Sequence, residues 1–160
     1  MAASKWNEGD IGVLFRRVAD SRPAVFQLAY KGEIESLPLA TAFFPYRARQ
    51  KRQPTMYIYE IAFTTSYHEM FSLFCHELGH MLGLRHEFAQ TDPIEQRMHS
   101  VLIGVKNERS IMNHLSAEIQ ESDYAGVREL YALEGKRYGG FKIRNVFPKE
   151  FVPPPIGLCW

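Results

Sequence analysis

Residues 76–87 read His76-Glu77-Leu78-Gly79-His80-Met81-Leu82-Gly83-Leu84-Arg85-His86-Glu87, the pattern H-E-x-x-H-x-x-G-x-x-H-E. On a helix, His76 and His80 project from one face about a turn apart, near enough to share a metal ion. Glu77 stands beside the first of them, placed to act on a metal-bound water rather than on the metal. Gly83 supplies the left-handed conformation in which a chain leaves a helix sharply, and the turn returns His86 as a third ligand. Three protein ligands with an open fourth position describe a catalytic zinc site, whereas structural zinc is closed by four. The alternative is an amphipathic core helix with its histidines toward solvent. It is disfavoured because three of the six histidines fall on the motif.

Outward from the motif, Ser66-Tyr67-His68-Glu69 is a capping-box pattern that starts a helix predicted over Tyr67 to Leu82. Phe71, Phe74, Leu78, Met81 and Leu82 recur at helical spacing and give it a wide apolar face for a sheet. Upstream, Ile11 to Arg17, Ala24 to Tyr30, Leu37 to Phe44 and Met56 to Phe63 read as strands. Pro38 and Pro45 bracket the third, which suits a short edge strand. Residues 46–54, with Arg47, Arg49, Lys51 and Arg52, read as a solvated loop. Downstream, residues 87–109 read as an irregular connection with at most a turn of helix around Ile94 to Met98. Ser122 to Leu133 reads as a second helix, with Ser122 as its cap, Tyr124, Val127, Leu130 and Tyr131 as its buried stripe, and Gly135 as its stop. A short apolar stretch, Phe141 to Val146, precedes a tail containing Pro153-Pro154-Pro155 that is expected to be extended and partly disordered.

A chain of 160 residues, 46% hydrophobic and 13% aromatic, suits one domain with a real core. A net charge of +1 argues against electrostatic binding to nucleic acid or to membranes. There is no apolar run long enough to span a bilayer. Met1-Ala2-Ala3-Ser4-Lys5-Trp6 lacks a hydrophobic signal region, which implies either a protein not secreted as written or a mature or clipped portion of something longer. The two cysteines, Cys75 and Cys159, exclude a disulfide scaffold. Cys75 reads as a small buried hydrophobe, and a bridge to Cys159 stays open.

The extended motif resembles that of the metzincin clan of zinc-dependent endopeptidases. Ser110-Ile111-Met112-Asn113-His114 is similar to the clan's methionine turn, and Glu87 resembles the astacin-like branch, where Glu follows the third histidine. The resemblance covers about residues 5–134 and implies an α+β fold. Its parts are a mixed twisted sheet with an antiparallel edge strand packed on the zinc-motif helix, the methionine turn and a C-terminal helix. It implies a catalytic domain over 1–136 and a tail over 137–160. The clan's chain normally begins with a strand and a long helix, of which Met1 to Asn7 resembles only the end. A sheet without that inner strand is expected to re-pair or to leave a gap. The resemblance further implies one catalytic Zn2+ on His76, His80 and His86, Glu77 as general base, and Met112 as an apolar floor under the histidines. A peptide or protein substrate would lie extended along the edge strand, Leu39 to Phe44, in an extracellular setting. Where astacins and serralysins have Tyr, this chain has His114, open to contact with zinc or the oxyanion and equally to closing the site as a fourth protein ligand. Two other readings stand beside this one. The first is a zinc-binding protein without peptidase activity; the second is an interaction module that contacts partners through its basic loop and Pro-rich tail. The sequence does not assign an oligomeric state.

Overall fold

A computed structural model describes residues 1–32, 38–45, 53–113, 118–135, 137–143 and 150. In chain order they form α1 (Ala2–Glu8), β1 (Gln27–Lys31), β2 (Ala40–Thr41), β3 (Thr55–Tyr59), α2 (Tyr67–Met81), α3 (Glu121–Ala132), β4 (Arg137–Tyr138) and β5 (Phe141–Lys142). Short 3-10 turns occupy Glu60–Thr64 and Glu95–Arg97. Strand β3 is central. β1 lies parallel to it, with Gln27 opposite Thr55 and Lys31 opposite Tyr59. β2 is antiparallel on its other side, with Ala40 opposite Ile58. The architecture is therefore α+β, with a mixed sheet and an antiparallel edge strand.

The inner face of the sheet gives Met56 and Ile58 to a core completed by Leu73, Cys75 and Leu78 of α2. α2 starts as its capping box predicts: Ser66 Oγ accepts from the Glu69 N–H, and the Glu69 carboxylate accepts from the Ser66 N–H. α1 wedges between α2 and α3 through Trp6, which is fully buried. Its indole N–H donates to the Cys75 carbonyl at 2.8 Å, and its ring meets Tyr124 edge-on at 5.7 Å. Tyr124 in turn donates its hydroxyl to the Lys5 carbonyl at 2.7 Å.

Several expected elements are shorter or different, each for a local reason. Ile11 to Arg17 is not a strand. Gly12 sits at φ 79°, and the Asn7 side-chain amide takes both the N–H and the carbonyl of Phe15, at 2.9 Å each, where a strand partner would pair. Met56 to Phe63 pairs only as far as Tyr59. Beyond it, the Thr64 and Thr65 hydroxyls bond the carbonyls of Ile61 and Ala62 and favour a 3-10 turn. The third strand contracts to Ala40–Thr41, Leu37 lying outside the described residues. α3 is capped not by Ser122 but by Gln120, with Asp123 closing a capping box. Tyr131 is 47% exposed rather than buried, although its hydroxyl reaches back to the Leu82 carbonyl at 3.2 Å.

The outer edge of β1 pairs with no strand among the described residues. A groove of about 2780 Å³ runs beside it, lined by Val13, Leu14, Phe26, Leu28, Phe71 and Phe74. Among the described residues the sheet therefore ends at β1. The basic stretch 46–52, Cys159 and the Pro153-Pro154-Pro155 tail lie outside the described residues.

Candidate active site

α2 carries His76, Glu77 and His80 in its last two turns and then ends in a Schellman arrangement. The Gly83 N–H bonds the His80 carbonyl at 2.9 Å and the Leu84 N–H bonds the Gly79 carbonyl at 3.0 Å, with Gly83 at φ 100°. Any residue with a Cβ is strained there, so the glycine is required by the turn itself. The reversal brings His86 over the helix end. The three rings approach pairwise with centroids 4.7, 4.8 and 5.0 Å apart. One nitrogen from each lies within 4.8 Å of the others, so the cluster can hold a metal ion.

The hydrogen bonds settle which nitrogens point inward. His76 Nδ1 bonds the Ile111 carbonyl at 2.7 Å, and His80 Nδ1 bonds the Leu84 carbonyl at 2.9 Å. His86 Nδ1 bonds the Glu95 carboxylate. Carbonyls and carboxylates only accept, so each neutral imidazole carries its proton on Nδ1 and presents a bare Nε2. His76 Nε2 and His86 Nε2 stand 3.0 Å apart, two lone pairs facing each other. A cation shared between those lone pairs would be favourable, and the donor set fits a metal that favours imidazole, of which zinc is the type case. Burial holds His76 and His80 in the neutral form this requires, pushing both down to about 4.

Glu77 is buried beside the cluster. Burial raises its carboxyl to about 7, against the opposing pull of the Ala42 backbone N–H just past β2. A cleft of about 300 Å³ opens here, lined by Pro38, Leu39, Ala40, His76, Glu77 and Asn113, among others. The edge strand and the candidate base therefore share one cleft, while the larger groove beside β1 includes neither Glu77 nor His76.

Beneath the histidines runs the turn Ser110–Asn113. Met112 is buried, and its sulfur fills the notch left by Gly79, where a Cβ would lie only 2.4 Å from it. Asp123 of α3 anchors the turn by accepting from the Ser110 hydroxyl and from the N–H groups of Ile111 (3.2 Å) and Gln120 (2.7 Å). That anchoring aims the Ile111 carbonyl at His76. His114 lies outside the described residues. Glu87 points away from the cluster and accepts from the Asn107 N–H. Cys75 is buried with its thiol pushed up to about 12, as a small hydrophobe would be.

Sequence reading missed Ile111, Leu84 and Glu95 as the groups that orient the three histidines. Two of them act through main-chain carbonyls and leave no residue signature. Glu95 had a faint one, since Asp92-Pro93 is a helix-start pair.

No curated protein and no solved structure matches the chain. The matrixin family model matches residues 2–132. The family model that matches is thus the matrixin one, while the Glu87 position of the motif resembles the astacin-like branch. The match runs from α1 to the last turn of α3 and takes in every element that builds the histidine cluster, so the chain belongs to the matrixin family of metzincin-clan metallopeptidases.

Proposed function

We propose that the chain is a zinc-dependent endopeptidase that hydrolyses internal peptide bonds. The convergence of three proton-free Nε2 atoms beside a buried carboxyl carries this reading. When bound, zinc supplies a Lewis acid that lowers the pKa of water towards roughly 7 and polarises a carbonyl. His76, His80 and His86 would hold it through Nε2, each ring fixed in direction by the bond at its Nδ1. Glu77 takes the proton of the attacking water on a carboxylate oxygen and returns it to the leaving amine. Burial raises the Glu77 carboxyl and a bound zinc ion would lower it, the two acting in opposite directions on the group that must both take and return a proton. Met112 fills the space under the ligands and gives them an apolar, close-packed floor. An extended peptide laid along β2 enters the cleft past Pro38, Leu39 and Ala40 within reach of Glu77. Main-chain pairing with an edge strand accepts any sequence, so selectivity falls to side-chain pockets.

Proteolysis of casein by the zinc-loaded chain tests the reading, with a chelator control and the Glu77→Ala variant alongside. The expected result is activity abolished by the chelator and reduced by roughly 10^2 to 10^4 in Glu77→Ala, which still binds zinc. Zinc lost from Glu77→Ala would remove Glu77 from the role of base. Zinc bound by the wild-type chain without any hydrolysis would leave a metal-binding protein instead.

A further inference from the structure

We infer that Glu95 is a positioning residue for the metal centre: clamped by Arg85, it sets the ring direction and proton placement of His86. The inference rests on the zinc reading above and concerns the one ligand that α2 does not carry.

The three imidazoles are not supported alike. His76 and His80 lean on main-chain carbonyls held by the buried 110–113 turn and by the Schellman end of α2. His86 lies beyond Gly83 in irregular chain, its side chain 26% exposed, and its acceptor is a carboxylate. Phe88 stacks on one face of the ring at 4.8 Å and does nothing to choose between its nitrogens. Among the described residues, Glu95 is the acceptor at His86 Nδ1.

Glu95 is itself held in place. Asp92 Oδ1 accepts from the N–H groups of Ile94 and Glu95, at 2.8 and 2.9 Å, and so starts the short turn Glu95–Arg97. Arg85 Nη2 donates to both the main-chain carbonyl (3.0 Å) and Oε2 (3.1 Å) of Glu95, while Nη1 reaches the Met98 carbonyl. One guanidinium therefore grips the backbone and one carboxylate oxygen, leaving Oε1 for His86. A charged acceptor also makes the imidazole a stronger donor to a cation than a carbonyl does. Without an acceptor at Nδ1, the His86 proton is free to move to Nε2, where it blocks the metal.

The test measures two quantities in wild type, Glu95→Gln and Glu95→Ala. One is zinc affinity by competition with a chromophoric chelator. The other is the tautomer of each histidine in the zinc-free chain by long-range 1H–15N NMR. Glu95→Ala is expected to weaken zinc about 10- to 100-fold and to move the His86 proton to Nε2, with His76 and His80 unchanged. Glu95→Gln keeps an accepting oxygen, so it should hold the Nδ1 proton and lose less affinity. Unchanged affinity and unchanged His86 tautomer in Glu95→Ala would overturn the inference. Should that variant fail to fold, Glu95→Leu, which keeps bulk but has no acceptor, decides by the same two readouts, and wild-type zinc affinity with the His86 proton still on Nδ1 would overturn the inference. If the wild-type chain takes up no zinc, the metal reading itself fails, while the tautomer comparison still decides what Glu95 does to His86.

Discussion

Gly79 lies between the two helix histidines, and its missing side chain is part of the site. An added Cβ would sit 2.4 Å from the Met112 sulfur and 3.3 Å from Trp6. Helix propensity alone favours Ala over Gly by about 1 kcal/mol. Overpacking of a filled core costs about 1–3 kcal/mol. Gly79→Ala is therefore expected to destabilise the chain in urea unfolding; stabilisation would mean that Met112 is not seated there. A second prediction concerns His76 and His80, which burial lowers from 6.5 to about 4. In the metal-free chain the unfolded state binds protons first, so stability falls as pH drops through 6.5 and levels off below about 4. Thermal melting of the zinc-free chain between those limits should show a falling midpoint, and a flat profile would contradict the burial of these rings. At this scale the histidine cluster was legible because the spacing of His76 and His80 is helical geometry and Gly83 marks the turn that returns His86. Glu95 was not, because its role depends on how an irregular segment folds back on Arg85.

Elements were legible where the local signal and the tertiary context agree. The box at Ser66 and Glu69 placed the start of α2 to the residue. Ile11 to Arg17 has the composition of a strand, yet Asn7 claims the main chain at Phe15 and Gly12 turns it away. Propensity says what a segment suits and not whether a partner adjoins it. α3 shows the same at its cap, where Asp123 does more than close a box: it joins the helix to the turn under His76. Asp123→Ala would strand three donors, two of them buried, at roughly 1–3 kcal/mol for each buried group left unpaired. We expect a loss of at least about 2 kcal/mol in denaturant unfolding. Weaker zinc binding should follow, because the Ile111 carbonyl would lose its anchor. A variant unchanged in both would separate α3 from the site.

Across the whole molecule, the fold class was legible from a strand-rich half followed by an amphipathic helix, since burying both faces admits few arrangements. What holds the far ends together was not. Trp6 of α1 sits on α2 and against Tyr124 of α3, a contact between residues 118 positions apart in the chain. Trp6→Ala should cost about 3–5 kcal/mol, read as a drop in the unfolding midpoint; a change under about 1 kcal/mol would show that α1 is dispensable.

The central claim is that three Nε2 atoms, freed by bonds at Nδ1, converge on a single ion. X-ray absorption on the zinc-loaded chain tests it most directly. One zinc per chain, ringed by nitrogen or oxygen at about 2.0–2.1 Å with the scattering of three imidazoles, is the predicted result. A sulfur ligand at about 2.3 Å, or a chain that takes up no stoichiometric zinc, would contradict it.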